Sequence, residues 1–186
     1  MRHKEFARRA LQVYTEWHGE TEGFEYRIDS YDWGQVVSVA GTKGKGDLGI
    51  DLRVLPRWED GVGWIAGGFW DVAADMSVVL ARRTTPGVPL YIVGHSAGGA
   101  IALCVAAHLT TNGIPVTAVI TFGAPRVGRL KCLDNVHVVR YRHGKDIVTY
   151  LGLRGTKDKI ITYGKPSHWY WNREDHVMTK YLEKLP

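Results

Sequence analysis

The sequence predicts an α/β protein with a mostly parallel central sheet flanked by helices on both faces. Three observations carry this. Apolar runs of strand length at residues 36–40, 89–93, 116–122 and 136–141 read as buried strands. Segments of helical periodicity separate several of them. A glycine-flanked turn, Gly94-His95-Ser96-Ala97-Gly98, joins one strand directly to a helix.

Taken in order, Phe6, Ala10, Leu11, Tyr14 and Trp17 recur at helical spacing, which predicts an amphipathic helix over 4–17. Residues 24–29 read as a short strand, and the strand at 36–40 ends at Gly41-Thr42. A polar, glycine-bearing loop follows. Val72, Ala73, Met76, Val79 and Leu80 predict a helix over 69–83, stopped by Pro86-Gly87. After the glycine-flanked turn, residues 99–109 read as a helix with Gly113 as its C-terminal stop. The strands at 116–122 and 136–141 come next. The last helix is expected to begin near Asn172, a good cap, with Glu174 and Asp175 in its first turn, and to run to about Lys184. No repeat, low-complexity tract or linker interrupts the 186 residues, so one domain over 1–186 is expected.

Composition narrows the functional classes. No run of 18 apolar residues occurs, so no transmembrane segment is expected. No apolar stretch follows the first nine residues, so no secretory signal is visible. A soluble, cytoplasmic protein is the expectation, with secretion after signal removal left open. Cys104 and Cys132 suggest no disulfide framework. The net charge of +5 comes from basic residues that are scattered, apart from Arg8-Arg9 and Arg82-Arg83, which argues against nucleic acid as a partner.

Strand, Gly-x-Ser-x-Gly, helix is the nucleophile elbow of the α/β-hydrolase fold. The flanking residues must be small, because a side chain there strikes the neighbouring strand or helix. The sharp turn lifts the Ser96 hydroxyl clear of the sheet. The Ala97 N–H, at a helix start, is placed to meet a developing oxyanion. Gly41-Thr42, closing an earlier strand, is the candidate second donor.

A serine needs a base, and the base an orienting acid, in the chain order Ser, acid, His. Asp134, Asp146, Asp158, Glu174 and Asp175 follow Ser96. Asp146 lies in a loop after a strand, where acids of this fold sit. Asp134 precedes that strand, and Asp158 lies in a Lys-rich surface stretch. His143 comes before the acid, which leaves His168 and His176 as bases, and residue chemistry alone does not separate them.

At these residues the chain resembles the fungal-type, or class 3, lipases, as a short and divergent member. Gly94 to Ala100 is similar to their elbow, with Ala97 where Leu is commoner. Thr121-Phe122-Gly123-Ala124-Pro125-Arg126-Val127-Gly128 matches their other signature stretch, which has no simple catalytic reading of its own. Residues 140–148 resemble the segment carrying their acid, and Val39-Ala40-Gly41-Thr42 their oxyanion loop. Asp175-His176 with Tyr181 resembles the base at the head of a final helix, so the resemblance favours His176 over His168. Departures are Val39 and Ala40 for Phe-Arg, Ala66-Gly67-Gly68-Phe69 for His-x-Gly-Phe, and Thr149 for Pro.

The resemblance implies a serine hydrolase acting on carboxylic esters. Ser96 is the expected nucleophile, His176 the base, Asp146 the acid, and Thr42 and Ala97 the oxyanion donors. No cofactor or metal is expected. The expected partners are an ester or lipid substrate and transient contact with a lipid surface. The alternative is a catalytically silent scaffold on the same fold. The segment Lys43 to Leu52, where the resemblance places an amphipathic lid, has three glycines and four charges, so no helical lid is expected. Trp58, Trp64, Trp70, Trp169, Tyr170 and Trp171 are candidates for the rim of an acyl groove, or for core.

Overall fold

A computed structural model describes residues 2–42, 55–155 and 160–185. The segment Lys43 to Leu52, and Asp158, lie outside the described residues. Helix α1 (His3–Gln12) precedes β1 (Gly19–Thr21), β2 (Phe24–Tyr31) and β3 (Gly34–Val39). A hairpin of β4 (Pro56–Glu59) and β5 (Gly63–Ala66) leads into α2 (Gly67–Arg83). Then come β6 (Leu90–His95), α3 (Ala97–Thr111), β7 (Ala118–Phe122), β8 (Arg126–Val127) and β9 (His137–His143). The chain closes with β10 (Gly152–Leu153), β11 (Ile160–Tyr163), a 3-10 turn at Glu174–His176, and α4 (Met178–Lys184).

Seven strands form one sheet in the order β1-β2-β3-β6-β7-β9-β11. From β3 to β11 every neighbour is parallel, and β1 and β2 add an antiparallel edge. The strands are apolar on both sides because both sides are covered. Val37, Val39, Ile92 and Val119 pack with α2 and α3, whereas Val36, Val93, Ile120 and Phe122 pack with Phe6 and Ala10 of α1 and with Tyr181 of α4. Alternate residues of each strand thus serve two separate cores. Helix α3 is buried on nearly all sides, which its run of apolar and small residues from Ala97 to Ala107 requires. The free Cys104 is part of this packing, and burial pushes its thiol well above the usual range. Among the described residues no helix is long and apolar enough to cross a membrane.

Several boundaries differ from those expected. Helix α1 ends at Gln12, not at residue 17, as the chain tightens into turns in which Tyr14 N–H bonds Leu11 O and Thr15 N–H bonds Gln12 O. Asn172 does act as a cap, its Oδ1 accepting from the Asp175 N–H at 2.9 Å. It caps only the 3-10 turn, because Val177 is extended and delays α4 until Met178. The hairpin β4–β5 and strands β8, β10 and β11 give no clear periodic signal, being only two to four residues long. Trp70 is core, whereas Trp58, Trp64, Trp169, Tyr170 and Trp171 are exposed.

The fold's consequence for function lies at one edge. Strands β6, β7 and β9 run in the same direction, so the segments after them emerge together. Those segments begin with Ser96, Gly123 and Gly144.

Candidate active site

Ser96 has φ +57° and ψ −131°, a conformation that a non-glycine residue adopts only where its surroundings enforce it. The enforcement is steric. A Cβ on Gly94 would lie 2.4 Å from Gly98 O, and one on Gly98 would lie 2.3 Å from Val39 O. Strand β6 and helix α3 therefore approach more closely than any side chain permits. The Ser96 N–H is held by Phe122 O at 2.9 Å. Ala97 opens α3, so its N–H belongs to the first turn, whose donors have no partner within the helix.

The structure brings Ser96, His176 and Asp146 together. His176 Nε2 lies 2.8 Å from Ser96 Oγ, and His176 Nδ1 lies 2.8 Å from Asp146 Oδ2. Asp146 is fully buried. Its Oδ1 accepts from the Val148 N–H at 2.9 Å, and its Oδ2 also accepts from the Tyr181 hydroxyl at 2.5 Å. Burial and the charge of Asp146 push the Tyr181 phenol well above its usual range, so it remains a donor. Thr42 lines the same cleft, of about 330 Å³, with His95, Ser96, Arg173, His176 and Val177.

The other candidates lie elsewhere. His168 Nε2 is 3.0 Å from Glu174 Oε1 and its ring stacks on Tyr170, away from Ser96. His143 is buried 3.6 Å from Asp175 and packs against Tyr163 and Tyr181. Asp134 pairs with Arg129 on the surface.

Three structural roles went unread in the sequence. Gly123 has φ +62°, and a Cβ there would meet Asp146 Oδ2 at 2.8 Å and His176 Nδ1 at 2.9 Å. The signature stretch around it thus leaves room for the hydrogen bond between Asp146 and His176. Arg140, 2% exposed, holds that stretch by donating to Ala124 O at 2.9 Å and Pro125 O at 3.1 Å. Asp175 joins the loop of Asp146 to the segment of His176, accepting from the Lys145 and Ser167 N–H groups, the Ser167 hydroxyl and Asn172 Nδ2. Burial alone would raise its pKa, but these donors hold it down at about 2.

Tyr181→Phe removes one donor from a buried carboxylate. The variant is expected to be less stable by about 1.5–3 kcal/mol, the worth of a hydrogen bond to a charged group. The shift in urea midpoint measures it, and an unchanged midpoint would show that the hydroxyl contributes nothing to holding Asp146.

Residues 36–156 match the family model for lipase (class 3). The chain is 34% identical over 105 residues to secreted mono- and diacylglycerol lipase 1 of Fusarium solani, a match covering 54% of this chain and 26% of that protein. It is 41% identical over 59 residues to lipase A of Sodiomyces alcalophilus, covering 31% of this chain and 14% of that protein. The matches thus span about a quarter of one relative's length and about a seventh of the other's. Among solved structures, lipase II from Rhizopus niveus superposes with a TM-score of 0.68 at 18% identity, covering 90% of this chain and 82% of that one. Rhizomucor miehei triacylglyceride lipase superposes with a TM-score of 0.62 at 20% identity, covering 81% and 65%. The architecture is therefore the α/β-hydrolase fold, and by sequence the chain belongs to the class 3 lipase family.

Proposed function

We propose that the protein is a serine hydrolase cleaving carboxylic esters of lipids through an acyl-enzyme on Ser96. The observation that carries this reading is the pair of 2.8 Å contacts linking Ser96 Oγ, the His176 ring and Asp146 at one edge of the sheet. In the proposed cycle Ser96 Oγ attacks the acyl carbonyl while His176 Nε2 takes its proton and then delivers it to the departing alcohol. Water, deprotonated by the same nitrogen, releases the acid and restores Ser96. Asp146 accepts from His176 Nδ1–H, holding the tautomer that leaves Nε2 free as base and stabilising the imidazolium. The oxyanion is met by the Ala97 N–H and by Thr42.

Acyl glycerols are the substrate class best supported, since the Fusarium solani relative is named a mono- and diacylglycerol lipase. That relative is also named as secreted, which does not fit the cytoplasmic expectation and favours an exported protein.

A fluorophosphonate probe tests the reading. The wild type is expected to be labelled at Ser96 and to hydrolyse a graded series of p-nitrophenyl and glyceryl esters. Absence of both reactions would leave a silent scaffold. Thr42→Val is expected to lower kcat by about 10²-fold with little change in KM, the loss typical of one oxyanion donor. A normal kcat would show that the hydroxyl faces away from the site.

A further inference from the structure

We propose that Tyr14 and His95 form a positioning relay that holds the Gly41-Thr42 loop and the base His176 in register on either side of Ser96. The proposal rests on the hydrolase reading above. It starts from three contacts. The Gly41 N–H donates to Tyr14 Oη at 2.9 Å, Tyr14 Oη lies 3.0 Å from His95 Nδ1, and His95 Nε2 lies 2.7 Å from the carbonyl oxygen of His176.

The direction of donation follows from chemistry. A carbonyl oxygen only accepts, so His95 Nε2 carries the hydrogen. A neutral imidazole then has its lone pair on Nδ1, which must accept the Tyr14 hydroxyl proton. The Tyr14 oxygen, having donated its proton, accepts from Gly41. Every group in the chain is satisfied in one arrangement only, which fixes the tautomer of His95. Burial, and then the neighbouring His176, lower the His95 pKa to about 3, while burial pushes the Tyr14 phenol up to about 12. Both side chains therefore keep the protons that this arrangement needs across the neutral range.

The relay joins parts of the chain that nothing local would align. Tyr14 comes from the turn after α1, Gly41 from the loop after β3, His95 from the elbow and His176 from the turn before α4. The His95 ring also lies against the His176 ring, with centroids 4.7 Å apart and planes inclined at 30°. The base is thus held at its backbone carbonyl and along its ring. The other end of the relay requires glycine, since a Cβ on Gly41 would lie 2.6 Å from Tyr14 Oη and 2.8 Å from His95 O. Loosening either end displaces a reacting group, and a displacement near 1 Å costs about 10²-fold in rate.

Tyr14→Phe keeps the ring and removes only the hydroxyl, so it is the primary test, assayed at 25 °C on p-nitrophenyl butyrate and with a fluorophosphonate. The expected result is a fall in kcat of about 10- to 100-fold with KM within about twofold, and an equal fall in the rate of Ser96 labelling. His95→Phe is expected to lose at least as much. The double variant should lose less than the product of the two single losses, because the changes break one chain. In the folded wild type at neutral pH, ¹⁵N shifts should show His95 neutral and protonated on Nε2. Wild-type labelling together with unchanged kcat and labelling rate in Tyr14→Phe, whatever its melting temperature, would overturn the relay. Multiplicative losses in the double variant, or a proton on His95 Nδ1, would overturn it as well. A wild type that neither labels nor hydrolyses would instead overturn the hydrolase reading itself.

Discussion

Ser96→Ala is expected to abolish ester hydrolysis, lowering kcat by roughly 10⁶-fold, the loss seen when the nucleophile of a comparable triad is removed. Among the described residues, Ser96 supplies the hydroxyl that lies 2.8 Å from the Nε2 of His176, whose other nitrogen is held by Asp146. The fold should survive. Alanine at φ +57° is strained no more than serine there, and the elbow is enforced by the close approaches of Gly94 and Gly98, which the change does not touch. Hydrolysis of p-nitrophenyl butyrate and the far-ultraviolet circular dichroism melting curve check the two halves. Activity above a few per cent of wild type, with contamination excluded by probe labelling, would remove Ser96 from the mechanism.

His176→Ala is expected to be about as damaging, and the Ser96→Ala, His176→Ala double variant no worse than either alone. Groups that act as one unit fail together, so their losses do not add. Asp146→Asn should lower kcat by about 10⁴-fold, since an amide in place of the carboxylate favours the wrong tautomer of His176 and no longer stabilises its cation. His168→Ala is the internal control. His168 pairs with exposed Glu174 and stacks on Tyr170, so its loss should leave kcat within a few-fold of wild type. A dead His168→Ala beside an active His176→Ala would reverse the assignment of the base.

The elements that sequence reading located best are those whose signal is local. Strands β3 and β7 at the centre of the sheet are buried at every position and mostly apolar because both faces are covered, and α3 is apolar or small from Ala97 to Ala107 for the same reason. The elbow was legible because its constraint acts between near neighbours: Gly94 and Gly98 allow a strand to turn into a helix within a few residues. Asp146 was legible by chain order and by its place after β9. The two-residue strands β8 and β10 were not, since a pattern needs more residues than they have.

The sequence by itself pointed to the proposed class of chemistry and to its candidate nucleophile, because the residues that strain Ser96 sit beside it in the chain. Between His168 and His176 it was silent without the family resemblance. Both lie in the same polar, aromatic stretch, and what separates them is which one folds back over 80 residues to Ser96. That was decided by tertiary structure, through the extended Val177 and the Asp175 carboxylate that ties the segment of His176 to the loop of Asp146. The same holds for Tyr14, His95, Gly123 and Tyr181. As letters they are a helix-face tyrosine, a variable position in a motif, a turn glycine and a residue in the last helix. Each meets its partner only when the sheet brings the ends of β3, β6, β7 and β9 to one edge, since a hydrogen bond or a steric limit a few ångströms long leaves no periodic trace in the sequence.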